Sequence, residues 1–268
     1  MTYETLISKQ ASPKASLLVG AAPVPWCGPG FRLPREGQAA ASTLSPNLES
    51  KIISLTFGEP NLTPVRNLIS RSRNRAASKY PSWKVGRMMQ WESIAELKAF
   101  RLLDCDPAVT TFVEQPCEVV YFNGVEQKRH VPDLYVELCE RKELWEIKTD
   151  ASDPDVIART ILLSNSLKPH GFIYRLVPDS ELETEPRLQN ANTLLRYGRR
   201  PLEELDRERL RLLLKKRGSL TWLDARAGEY GPFGKGALCR LALEGILRVD
   251  MNKPLTADTQ FSCVKGGL

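Results

Sequence analysis

The stretch His130-Val-Pro-Asp-Leu-Tyr-Val-Glu-Leu138, followed by Glu143-Leu-Trp-Glu-Ile-Lys-Thr149, decides how this chain is read. Both runs have the character of adjacent β-strands, and they carry Asp133, Glu146 and Lys148. Glu146 and Lys148 are two residues apart, so on a strand they share one face, while Trp145 and Ile147 point to the other. The apolar face is expected to be buried and the charged face to be open. Glu and Lys are uncommon in strand interiors, and a metal site explains both on one side of an apolar run.

Two carboxylates and an ammonium at this spacing suit phosphodiester hydrolysis. That reaction needs charge neutralised on the phosphate, a nucleophilic water and a stabilised leaving oxygen. One or two Mg²⁺ ions, for which Mn²⁺ can substitute, do this in near-octahedral oxygen coordination. Asp133, Glu146 and the backbone carbonyl of Ile147 would supply the oxygens, and Lys148 would orient or help deprotonate the water. His130 lies three residues before Asp133, so on an unbroken strand it faces the opposite side and is left out. A fourth group is expected from the preceding helix, where Glu92 and Glu96 fall one turn apart. Glu96, between Ile94 and Leu97, is the better placed to reach the sheet. The bland alternatives are a turn residue after Pro132 for Asp133, an exposed ion-pair face for Glu146 and Lys148, and a solvated helix face for either glutamate.

Working outward, Ser93, Ile94, Leu97, Phe100 and Leu103 follow helical spacing from Trp91, and Asp106-Pro107 ends that helix. Cys117 to Phe122 and Val125 to Val131 form a hairpin around Asn123-Gly124, which is expected to supply both positive-φ positions of a type I′ turn. Strands follow at about Leu134 to Leu138 and Leu144 to Thr149. Asp153-Pro154 opens a helix through about Leu167, with a further strand from Gly171. This predicts an α/β core, residues 65–178, with its sheet covered by helices. Residues 1–64 contain eight prolines, from Pro13 to Pro64, and are read as an extended arm, in which apolar patches such as Leu17-Leu-Val19 and Ile52-Ile-Ser-Leu55 leave room for short docking elements. Beyond Pro178, helices at Glu203 to Lys216, Leu220 to Ala227 and Lys235 to Gly245 precede a hairpin. Residues 185–268 therefore suggest a small, mainly α, winged-helix-like unit, or else a helical appendage that completes the core.

The chain of 268 residues has a formal net charge of +6 and a pI near 9.0, which suits a polyanionic partner. Residues 61–91 contain no Asp or Glu but do contain Arg66, Arg71, Arg73, Arg75, Lys79, Lys84 and Arg87, a footprint expected for phosphate contacts or for a solvated linker. Six scattered cysteines without a Cys-x-x-Cys pair argue against zinc and for a cytoplasmic chain. Cys117 and Cys139 are expected as small buried hydrophobes. The apolar piece Ala15 to Val24 is too short to span a bilayer and lacks a signal-peptide pattern, so no membrane association is expected.

Trp91-Glu-Ser-Ile-Ala-Glu-Leu97, Leu102-Leu-Asp-Cys-Asp-Pro-Ala-Val-Thr-Thr-Phe-Val-Glu-Gln-Pro116, Pro132-Asp-Leu-Tyr-Val136 and Trp145-Glu-Ile-Lys148 together resemble the TnsA endonuclease subunit of heteromeric transposases, with Pro81 to Met88 similar to its lead-in. The likeness covers residues 80 to 178. It implies a restriction-endonuclease-like PD-(D/E)xK core in which Glu96, Asp133, Glu146 and Lys148 match the catalytic positions; some members carry Gln where Glu146 stands. It also implies a winged-helix-like second domain, double-stranded DNA at transposon ends as substrate, and two partners, a TnsB-like DDE transposase and a TnsC-like AAA+ regulator. TnsA cuts the strand at each transposon 5′ end and TnsB cuts and joins the 3′ ends. Gln115-Pro116 is a family signature that either shapes the entry to a strand or contacts DNA. The arm before Val65 has no counterpart. A stand-alone nuclease of the same fold and a non-catalytic DNA-binding adaptor are the competing readings.

Overall fold

Apolar alternation along two short runs builds the centre of the molecule. In the computed structural model, which describes residues 51–58, 63–65, 78–139 and 141–264, the fold is mixed α/β. Strand β1 (Lys51–Phe57) comes first, then β2 (Ser78–Pro81) and β3 (Met88–Trp91), which pair antiparallel. Helix α1 (Ile94–Cys105) starts from Ser93, whose hydroxyl accepts from the Glu96 N–H, and ends at Asp106 as the proline after it requires. Next come β4 (Val109–Glu114), β5 (Cys117–Phe122), β6 (Gln127–His130), β7 (Leu134–Leu138) and β8 (Arg141–Lys148). Asp153 caps α2 (Pro154–Leu167), which crosses over to β9 (Phe172–Pro178).

The central sheet has the order β4-β7-β8-β9, antiparallel except for the parallel β8–β9 pair that the α2 crossover makes possible. One face carries Phe112, Leu134, Val136, Trp145, Ile147 and Val177 against Ala99, Phe100 and Leu103 of α1. The other carries Val113, Tyr135, Leu144 and Tyr174 against Leu163 and Leu167 of α2 and against Cys117, Val119 and Tyr121 of β5. Both faces are covered, so the charged side of β8 is not open as expected: Glu146 is only 2% exposed.

Three further local readings are corrected. Ile52-Ile-Ser-Leu55, assigned to the arm, lies in β1 and pairs antiparallel with β5, giving a β1-β5-β6 sheet. No proline falls between Pro46 and Pro60, so nothing there prevents a strand. The hairpin turn at Asn123 is not type I′: the positive φ falls on Gly124 alone, at 96°, and the Asn123 side chain accepts from the Val125 and Glu126 N–H groups instead. Cys139 is exposed in the β7–β8 turn at φ 43°, whereas Cys117 is buried as expected.

After α3 (Asp179–Leu182), helices α4 (Arg187–Gly198), α5 (Glu204–Arg217), α6 (Trp222–Ala227) and α7 (Gly234–Leu243) share a second core with β10 (Ser219–Thr221), β11 (Leu247–Arg248) and β12 (Gln260–Cys263). The three strands form an antiparallel sheet in the order β10-β12-β11. Helix α4 is an addition to the expected elements, although Leu188, Ala191, Leu194, Leu195 and Gly198 mark a buried stripe at helical spacing. It packs closely on α7: a Cβ on Gly198 would lie 2.7 Å from the carbonyl carbon of Cys239. No residue of α7 is exposed. Among the described residues, no helix is long and apolar enough to cross a membrane.

Candidate active site

The site lies where β7 and β8 part. Strand β6 ends at His130 in one sheet and β7 begins at Leu134 in another, because Pro132 cannot donate to a ladder. Asp133 sits at this switch. Its carbonyl accepts from the Gln115 N–H at 2.9 Å, and its Oδ2 accepts from the Ile147 N–H at 2.6 Å. Leu134 opposite Trp145 is the last pair of the β7–β8 ladder, so beyond it the side chain of Asp133 replaces a backbone acceptor. The N–H and C=O of a strand residue lie on the same edge, so the Ile147 carbonyl opens toward the same gap. Gln115 makes its contact from a left-handed conformation, φ 43°, with its carbonyl accepting from the Val65 N–H. The Gln115-Pro116 signature thus supports the main chain of Asp133.

Glu146 is held by four donors. Lys148 Nζ and Arg159 reach Oε1, each at 2.9 Å, and His130 Nε2 at 3.0 Å and the Tyr174 hydroxyl at 3.4 Å reach Oε2. Lys148 therefore shares its face with Glu146, and the other three groups come from β6, α2 and β9. The exclusion of His130 fails because the strand is broken at Pro132, the residue that could have warned of it. Arg159 also left a trace in the sequence: it follows Val156 by three residues and precedes Leu163 by four, which puts a cation on the buried face of α2.

Burial alone would raise the Glu146 carboxyl, but the His130 and Lys148 contacts outweigh it and hold the group low. The opposite happens at Asp133: burial, then the charge of Glu146, pushes its carboxyl up to about 7. Desolvation pulls at Lys148 too, yet the bond to Glu146 prevails and keeps its ammonium more firmly protonated than usual. A protonated Lys148 can orient a water or offset phosphate charge. Glu96 is near enough to interact with Asp133 and Lys148 electrostatically, and burial raises its carboxyl. Its oxygens serve a capping box, accepting from the Glu92 N–H at 2.9 Å and the Ser93 hydroxyl at 3.0 Å. Glu92 precedes the helix and shares no helix face with Glu96.

The basic lead-in divides. Arg66, Arg71, Arg73 and Arg75 lie outside the described residues. Lys79 is exposed on β2. Lys84 and Arg87, expected on DNA, make contacts within the fold. Lys84 Nζ donates to the Asp106 and Val109 carbonyls at 2.5 and 2.6 Å, and burial lowers its pKa to about 8. Arg87 forms a two-pronged pair with the buried Glu114 at 2.7 and 2.6 Å.

Among the described residues, no three His, Cys, Asp or Glu side chains are gathered as a metal cage. Mg²⁺ does not need one: it usually takes one or two carboxylates and fills its octahedron with water and substrate phosphate. Asp133, Glu146 and the Ile147 carbonyl fit that demand, provided that Glu146 releases a donor from Oε1. A carboxyl pushed up to about 7 beside another carboxylate is also what a nearby divalent charge would relieve. Neither a protein-family model nor a curated protein matches this chain.

Proposed function

We propose that this chain is a TnsA-like, Mg²⁺-dependent DNA endonuclease with a restriction-endonuclease-like core and a winged-helix-like second unit. It hydrolyses one strand at each transposon 5′ end and works with a TnsB-like DDE transposase and a TnsC-like AAA+ regulator. The observation that supports this reading is the meeting of Asp133, Glu146 and Lys148 at the parting of β7 and β8, bridged by the Asp133–Ile147 hydrogen bond. The mixed sheet with a helix on either face and Glu-x-Lys on a central strand is the scaffold that such a core would need.

When bound, a divalent cation supplies Lewis-acid charge to the scissile phosphate and makes water more acidic. Asp133, Glu146 and the Ile147 carbonyl would hold it. Asp133 must be ionised to do so, and its raised pKa places that ionisation near neutrality. Lys148, partly exposed and protonated, directs N–H groups at the attacking water and a phosphate oxygen. His130 and Tyr174 fix the Glu146 carboxylate from behind. The α7 cations Lys235 and Arg240 are engaged with Tyr197, Trp83 and Glu244, which fits sequence recognition residing in the partner transposase.

The test is strand cleavage of transposon-end DNA, with and without the partner transposase. Asp133→Ala is expected to lose at least about a hundredfold in Mg²⁺-dependent cutting while still folding and binding DNA. Full cutting by that variant would remove Asp133 from the chemistry.

A further inference from the structure

Arg159 occupies the oxygen of Glu146 that a cation would use. Its guanidinium and the Lys148 ammonium together fill Oε1, while Oε2 is taken from behind. Lys148 can withdraw, since its side chain is 37% exposed. Arg159 is set on α2 between the anchoring positions Val156 and Leu163, and its side chain is 26% exposed. It is also incompletely satisfied: among the described residues, Arg159 Nε is a buried N–H with no hydrogen-bond partner. Its partners are one Glu146 oxygen and the Tyr174 hydroxyl, neither of which it meets two-pronged; a guanidinium is a fork of N–H donors that a phosphate satisfies in pairs, so a phosphodiester offers Arg159 a better partner.

We propose that Arg159 makes cation loading depend on DNA: in the free protein it blocks Glu146 Oε1, and an arriving phosphodiester draws it away and opens that oxygen to the metal. The inference rests on the nuclease reading above. Arg159 is then a positioning residue toward the metal and a phosphate ligand once DNA is bound. Linkage demands that duplex and cation strengthen each other's binding by one common factor.

Mn²⁺ binding to the full chain, followed by electron paramagnetic resonance with and without a short DNA duplex, tests this, with Asp133→Ala as the baseline. In the parent, the duplex should tighten Mn²⁺ by about tenfold, and Mn²⁺ should tighten the duplex by the same factor. Arg159→Gln should bind Mn²⁺ about tenfold more tightly than the parent without DNA, and the duplex should then tighten Mn²⁺ by a smaller factor than in the parent, the remainder being the phosphate's own contact with the cation. Mn²⁺ bound equally by parent and Arg159→Gln, or duplex and Mn²⁺ binding independently in the parent, overturns the inference and leaves the nuclease reading standing. Should neither chain exceed the Asp133→Ala baseline even with DNA, both fall. The reciprocity measured on the parent needs no variant, so a misfolded Arg159→Gln does not rescue the idea.

Discussion

Asp133→Asn should stabilise this protein, and the gain should depend on pH in a defined way. In the folded chain burial and the charge of Glu146 push the Asp133 carboxyl up to about 7, against an ordinary value of 3.8. A carboxyl whose folded pKa is raised contributes stability that is full below its unfolded pKa and is lost as pH rises through the folded one. The parent should therefore lose ground to the Asn variant between pH 4 and 7, by at most about 1.4 kcal/mol per pH unit, and no further above that. Integrated over the shift, this reaches about 4 kcal/mol, and partial solvent access at Asp133 reduces it to roughly 2–3 kcal/mol. Asparagine keeps an oxygen for the Ile147 N–H, so the comparison isolates the charge. Urea unfolding of both chains across pH 4 to 9 measures it. Mg²⁺ at tenfold its dissociation constant should return about 1.4 kcal/mol to the parent at pH 8 and nothing to the variant. Parallel stability curves between pH 4 and 7 would refute the reasoning, because Asp133 would then titrate as an ordinary carboxyl.

Three other outcomes follow from the sequence and the geometry. Lys84→Met should cost about 2 kcal/mol in unfolding free energy, by taking the ammonium from the Val109 carbonyl and leaving the Asp106 carbonyl with the Val109 N–H alone, and leave the slope of log DNA affinity against log salt unchanged. Joint neutralisation of Arg71, Arg73 and Arg75 should flatten that slope by about 0.9 for each phosphate that is no longer neutralised; an unchanged slope would mark the run as a bystander. Gly198→Ala should destabilise by about 1–3 kcal/mol through the 2.7 Å approach to Cys239, and a melting temperature equal to the parent's would disprove the close α4–α7 packing.

The elements with strong local signals were legible. Asp153-Pro154 announced α2, Gly218 ended α5, and the strand pair around Asp133 and Glu146 was visible from its alternation. What escaped depends on tertiary context. The burial of Glu146 comes from α2 and β5 covering its face, which a two-residue period cannot report. Lys84 and Arg87 look in sequence like Lys79; only the carbonyls and the buried Glu114 beside them, which the sequence does not show, tie their charges into the fold. His130 was misjudged because a face argument holds only along one continuous strand, and Pro132 ends it. Glu96 stood out from Glu92 by its place in the apolar pattern, but Ser93-x-x-Glu96 is equally a capping box, and that pattern accounts for both its oxygens.

Strand β1 changes where the folded unit begins. Its Phe57 ring lies tilted against Phe172 at 5.5 Å between centroids and meets Tyr135 edge-on at 6.5 Å, and its backbone pairs with β5 from Lys51 to Phe57. A chain trimmed at Val65, where the expected arm gives way to the core, would strip one long side of β5 and leave a row of unpaired backbone groups that invites intermolecular pairing. It would also loosen β6, whose last residue is His130. Such a truncation should therefore aggregate for a reason unrelated to catalysis. A proline-rich arm that looks dispensable on composition ends in a segment on which the solubility of the folded core depends.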